Sequence, residues 1–169
     1  MKRLLIVWHS RTGAARQMAE AAARGAAAAA AQLEQPDDLA VTLRRAADAG
    51  VDEVLASDGF LFCAPENLAS LSGEMKEFFD RCYYGVLDRI SGRPYACLVS
   101  AGSDGAGAAR QVERICTGWR LRAVAPALIV NLGAQTPEQI AAPKTVAPAE
   151  LARCEQAGGL LAGLLLTAG

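Results

Sequence analysis

Histidine occurs once in this chain, at His9, and the five cysteines (Cys63, Cys82, Cys97, Cys116 and Cys154) contain no C-x-x-C pair. That scarcity argues against a zinc site, which draws its ligands from clustered Cys and His. Cysteines that are odd in number and dispersed through apolar stretches read as small buried hydrophobes and point to a reducing compartment. Charge is nearly balanced, at a formal net −1, so there is no basic surface to predict nucleic acid or an anionic membrane as partner. Long apolar runs are missing too. The N-terminal run ends after residue 8, short of the 7 to 15 apolar residues of a signal-peptide core, and residues 160–166 fall far below the roughly 20 a membrane span needs. A cytoplasmic protein is expected. Aromatics make up only 5% of the residues, while 52% are hydrophobic, carried by Ala, Leu and Val. This is the composition of a folded chain, and 169 residues suffice for one domain, 1–169, with a substantial core.

The apolar residues fall into a regular order. Residues 4–8, 59–64, 95–100 and 123–132 are near-continuous apolar runs of strand length, as expected of strands buried on both faces of a parallel sheet. Residues 39–43 form a further strand after the break at Pro36-Asp37-Asp38. Between them lie helical segments: an alanine-rich 14–32, a short 46–56, an amphipathic 74–84 with Met75, Phe78, Phe79 and Cys82 on one face, a helix running to Trp119, and a closing 148–166. Strands alternating with helices mean a parallel, doubly wound α/β sheet. Ligands of such sheets bind beyond the carboxyl ends of the strands, and three loops fall there: residues 9–15, 65–73 and 101–107.

The first of these, His9-Ser10-Arg11-Thr12-Gly13, joins a buried strand directly to a helix. A helix N-terminus offers unpaired N–H groups and the positive end of the macrodipole, so the turn suits a phosphate. Chemistries that act on the phosphate are excluded by missing residues. No Gly-Lys pair exists for a P-loop, Gly13 stands alone where G-x-G-x-x-G would be needed, no cysteine lies in the turn, and Trp8 and His9 stand where a phosphoacceptor domain needs acids. A cradle remains, with no chemistry of its own.

Ser10-x-Thr12-Gly13 resembles the FMN-phosphate loop of flavodoxin-like proteins. The segment PENLASLSGEMKEFFD, residues 65–80, is similar to the flavin-ring loop of two families in that superfamily. Pro65, Leu71, Ser72, Gly73, Met75, Lys76, Phe78 and Asp80 match the loop of WrbA-like NAD(P)H:quinone oxidoreductases. Pro65, Glu66, Ser70, Gly73 and Lys76 match that of NADPH-dependent FMN reductases. The resemblance implies a flavodoxin-like three-layer sandwich with a five-stranded parallel sheet in the order 2-1-3-4-5. It also implies FMN as cofactor and NAD(P)H as co-substrate, in an oxidoreductase that passes two electrons to a quinone-like or flavin acceptor. Ser10, Arg11, Thr12, Gly13, Ala14 and Ala15 would hold the phosphate. Pro65, Glu66, Asn67 and Leu68 would lie along the ring, and Ala101, Gly102, Ser103 and Gly105 would reach its pyrimidine edge. No side-chain nucleophile, base or metal is called for, the other partner is a small-molecule substrate, and assembly as a homodimer or homotetramer is implied.

Departures from the pattern leave two other readings open. Ala15 stands where the flavodoxin loop usually ends in a hydroxyl residue, and neither ring loop carries Trp or Tyr. The chain could be a flavodoxin-type electron carrier, or a flavodoxin-like protein that has lost flavin. Single residues also carry paired readings. His9 is a ligand contact or a packing and capping residue, and Asp104 a flavin contact or an N-cap. Glu66 lies near the ring or in solvent, and Tyr83 and Tyr84 line the site mouth, a subunit contact or plain surface.

Overall fold

The computed structural model describes residues 1–168. Four strands, β1 (Lys2–Trp8), β2 (Leu39–Arg45), β3 (Gly59–Asn67) and β5 (Pro94–Ala101), lie side by side and parallel in the order β2-β1-β3-β5. The fifth position is shared by β6 (Arg122–Ala123) and β7 (Leu128–Asn131), both parallel to β5. Counted as one strand, they complete the expected five-stranded order 2-1-3-4-5. The apolar run 123–132 is therefore two strands, and the interruption contains Pro126, which has no N–H to give a ladder. A two-residue strand, β4 (Ser70–Leu71), folds back antiparallel on the end of β3.

Helices cover both faces, giving the three-layer α/β sandwich. Along β1 the side chains alternate. Leu5 and Val7 join one core with Phe60 and Phe62 beneath α2 (Val51–Ala56), α3 (Gly73–Val86) and α4 (Ala106–Gly118). Leu4 and Ile6 join the other with Leu61, Cys63 and Leu98 beneath α1 (Ala14–Gln32) and α6 (Pro148–Thr167). The two cores are built differently. Phe62 centres the first, with ring centroids of Phe79 at 4.8 Å, Tyr95 at 6.2 Å and Trp119 at 6.4 Å. Alanine dominates the second, because α1 and α6 touch backbone to backbone: a Cβ at Gly25 would sit 1.9 Å from the Glu155 carbonyl oxygen, and one at Gly158 would sit 1.9 Å from that of Ala22. All five cysteines are free and buried, as their dispersal suggested.

Two helical segments differ from expectation. The helix expected over 46–56 starts only at Val51: Glu53 accepts the Gly50 N–H at 3.3 Å, and Arg81 donates to the carbonyls of Ala46 and Ala49, holding the preceding residues in a turn. A short helix, α5 (Pro137–Ala141), lies in a stretch not read as helical. No helix among the described residues is long and apolar enough to cross a membrane.

Alanine normally stabilises a helix interior relative to glycine by up to about 1 kcal/mol. Gly163→Ala, with nothing near its would-be Cβ, should show that gain in urea denaturation. Gly25→Ala and Gly158→Ala should instead each lose about 1–3 kcal/mol, since the backbones must separate.

Candidate functional site

At the end of β1 the His9 N–H donates to the Cys63 carbonyl at 3.0 Å, and the chain leaves the sheet. Ser10 Oγ accepts the Gly13 N–H at 3.0 Å, closing a tight turn, and Gly13 takes φ +97°, a left-handed conformation costly for any side chain. α1 begins at Ala14. Among the described residues, the N–H groups of Arg11, Thr12, Ala14 and Ala15 find no acceptor in the protein, and they gather at the positive end of a 19-residue helix. The Ala15 side chain is buried in the core and its carbonyl accepts the Cys63 thiol at 3.1 Å. What position 15 offers the cradle is its N–H, so the missing hydroxyl matters less than the sequence suggested.

The second loop is a hairpin. Glu66 pairs with Leu71 and Asn67 with Ser70, and the turn residues Leu68 and Ala69 take φ +52° and +60°. Two left-handed residues in succession are what a two-residue hairpin turn requires, at a cost of about 1–2 kcal/mol for each residue carrying a Cβ. Partners on α4 hold it. Gln111 Oε1 accepts from Ser70 Oγ and from the Leu71 N–H, both at 2.8 Å. Glu66 accepts the Gly105 N–H at 2.9 Å and the Ala108 N–H at 3.1 Å. Both carboxylate oxygens thus cap the N-terminus of α4, a role outside the two readings considered for Glu66, and its partners 39 and 42 residues away gave the sequence no local signal.

In the third loop Gly105, at φ +94°, precedes α4; a Cβ there would lie 2.5 Å from Ile129 Cγ2. Asp104 Oδ1 accepts the Ala106 N–H at 3.2 Å from one position before the N-cap, which is Gly105, so Asp104 is not itself the N-cap. The Ser103 carbonyl accepts from Asn131 Nδ2.

These loops converge on a crevice of about 270 Å³. Ser10, Arg11, Thr12 and Ala14 line it from the first loop, Pro65, Glu66 and Asn67 from the second, and Ala101 and Gly102 from the third, joined by Ser100 of β5, which the sequence had not marked. Gly13, Ala15, Leu68, Ser103 and Gly105 lie off the wall; Leu68 projects fully into solvent from the hairpin tip. Among the described residues, no aromatic side chain lines the crevice. A fourth wall, absent from the sequence reading, comes from Leu132, Ala134, Ile140, Ala141 and Lys144. Its strap is tied to the cradle: the Lys144 N–H donates to the Thr12 carbonyl at 2.8 Å, Gln17 Nε2 donates to the carbonyls of Gly13 and Lys144, and Gln17 Oε1 accepts the Val146 N–H. Lys144 Nζ donates to the carbonyls of Gln139, Ile140 and Ala142, closing the end of α5. A sequence signal was available, since Thr136-Pro137-x-Gln139 is a capping box with proline in the first turn, and it forms here.

His9 supports the hairpin from below. Its Nδ1 and the buried Ser72 Oγ, at the start of α3, are hydrogen-bonded at 2.7 Å, and Nε2 lies 3.6 Å from Glu74 Oε2. Ser72 is wholly inaccessible, so the Ser-His-Glu row is a packing device and not a nucleophile. Burial pushes the His9 pKa below 6.5, with Glu74 opposing and Arg11 and Arg45 adding to the shift.

The family model of NADPH-dependent FMN reductases matches residues 8–136, from the end of β1 through all three loops. The chain belongs to this family. A flavodoxin of Aquifex aeolicus (strain VF5) is 32% identical over 107 residues, 63% of this chain and 54% of that protein, so the chain spans about half the length of this curated relative. In fold, this FMN reductase family member superposes on the WrbA-like flavodoxin of Agrobacterium tumefaciens with a TM-score of 0.74 at 16% identity, over 100% of both chains. An oxidoreductase of Corynebacterium diphtheriae gives 0.74 at 19% identity, over 100% of this chain and 99% of that one. The strap from residue 137 onward lies outside the family match.

A histidine held neutral by burial favours the folded state above its unfolded pKa and ceases to as protonation sets in. The urea midpoint should therefore fall between about pH 7 and about pH 5, and His9→Gln should flatten that part of the slope. Glu66→Ala should lose about 2 kcal/mol through two orphaned amides, with Glu66→Gln intermediate; chemical denaturation orders the three proteins.

Proposed function

We propose that this protein is an FMN-dependent oxidoreductase that draws electrons from NAD(P)H and delivers them to a quinone-like or flavin acceptor. One observation carries the reading: a cradle of unpartnered N–H groups opens onto a crevice whose walls hold no aromatic cover. The residues present fit the cofactor. A phosphate dianion would take the N–H groups of Arg11, Thr12, Ala14 and Ala15, gaining charge-assisted hydrogen bonds together with the helix field. Pro65, Glu66 and Asn67 on one side and Ala101 and Gly102 on the other would flank a planar ring. FMN, when bound, supplies reversible two-electron chemistry that no side chain here possesses. The chain's own part is to anchor, orient and leave one side open to successive substrates. The reading includes a cytoplasmic location and assembly as a homodimer or homotetramer, which light scattering on the purified protein tests.

The similarity to the Aquifex flavodoxin favours a second reading, a one-electron carrier. The near-neutral net charge counts against it, because a docking carrier gains from a strongly charged surface.

Titration should quench FMN fluorescence, and riboflavin, which lacks the phosphate, should bind at least about 100-fold more weakly, the worth of two charge-assisted hydrogen bonds. Equal affinities would remove the cradle from the account, and absence of binding would favour the flavin-free reading. Holoprotein that consumes NADPH or NADH faster when benzoquinone is added is the enzyme; holoprotein that oxidises neither is the carrier.

A further inference from the structure

Gln17 stands in the first turn of α1 and does not line the crevice, yet its side chain ties two of the crevice's walls together. Nε2 donates to the Gly13 carbonyl at 3.0 Å and to the Lys144 carbonyl at 2.8 Å, and Oε1 accepts the Val146 N–H at 3.0 Å. Both amide hydrogens and the amide oxygen are engaged, and the reversed amide would set its oxygen against two carbonyls. The Gln17 backbone N–H reaches the same Gly13 carbonyl at 3.2 Å. One residue earlier in the turn, the Thr12 carbonyl accepts the Lys144 N–H at 2.8 Å.

A peptide unit is planar and trans, so its C=O and N–H point in opposite directions. The Gly13 carbonyl shares its plane with the Ala14 N–H. Fixing the one on Gln17 therefore aims the other, and Ala14 lines the crevice. The N–H groups of Arg11, Thr12, Ala14 and Ala15, which among the described residues have no acceptor in the protein, gather at this point. Converging N–H dipoles repel one another until an anion lies between them, so the turn gains by relaxing unless its carbonyls are held from behind.

We propose that Gln17 is a positioning residue for the cofactor phosphate: it holds the Gly13–Ala14 peptide and the strap in fixed relation, so that the cradle has its shape before the phosphate arrives. The inference rests on the FMN reading of the crevice and deepens it. Standing off the crevice wall, Gln17 acts through the backbone. A loop already ordered costs less to bind, and that saving is lost when the loop is freed. The effect falls on the phosphate end of the cofactor and not on the ring, which Pro65, Asn67, Ala101 and Gly102 would flank. The half of the clasp that the strap supplies, at Lys144 and Val146, lies beyond the family match, which ends at residue 136.

The test compares the full-length wild type with Gln17→Met, which keeps the length of the side chain and loses its hydrogen bonds, and Gln17→Glu, which keeps the acceptor for Val146 and loses both donors. Fluorescence titration should show each variant holding FMN about 10-fold more weakly, the worth of about one hydrogen bond at the cradle. Riboflavin, which lacks the phosphate, should bind all three proteins alike, so that the FMN-to-riboflavin affinity ratio falls by the same factor. That ratio separates positioning from general support of the fold, because a variant merely less well folded loses both ligands together. An unchanged ratio in Gln17→Met, or a wild-type ratio in Gln17→Glu, would overturn the proposal. Amide NMR gives a readout free of the flavin: inorganic phosphate should shift the Arg11, Thr12, Ala14 and Ala15 signals of the wild type saturably, and those of Gln17→Met only at about 10-fold higher concentration. If FMN does not bind, the flavin reading falls and the phosphate titration still decides for Gln17. Equal phosphate midpoints, or no shift in the wild type, overturn its role.

Discussion

The contact between α1 and α6 sets the positions of much that surrounds the crevice. Their backbones meet at Gly25 against Glu155 and Gly158 against Ala22, closer than any side chain allows. That fixes α6, and with it the point where the chain arrives from β7. The strap before α6 must pass the start of α1, where Gln17 and the Thr12 carbonyl take up its backbone groups. A helix pair far from the crevice thereby determines where Ile140, Ala141 and Lys144 stand as its fourth wall.

The opposite side is organised by charge. The N-terminus of α4 would attract an anion as readily as that of α1, but the Glu66 carboxylate already occupies it. Of the two helix ends facing the crevice, one is answered from within the protein and one is left for a ligand. The same carboxylate holds the hairpin against α4 and offsets part of the strain at Leu68 and Ala69.

The strands, their alternation with helices and the three loops were legible because burial on both faces leaves a strong mark in runs such as 4–8 and 59–64, whereas the strand order followed only from the resemblance to flavodoxin-like proteins. The phosphate cradle was legible for the same reason, since it follows such a strand directly. The roles of Glu66, His9 and Gln17 were not, because each is defined by a partner far along the chain. The split of the last strand and the helix at 137 belong to a middle class. Pro126 and the Thr136-Pro137-x-Gln139 box were both in view, but a continuous apolar run and a loop were the simpler descriptions.

The buried cysteines have a further meaning for a protein built around an open crevice. Burial raises the thiol of Cys97 to about 12 and that of Cys154 to about 11, and holds Cys63, Cys82 and Cys116 above the ordinary value as well. Only a thiolate adds to an electrophile or reacts readily with peroxide. Quinones are electrophiles that alkylate thiolates, and reduced flavins generate peroxide in air. A chain whose sulfurs are buried and biased toward the protonated form would withstand either reagent, should the proposed chemistry bring one to the crevice.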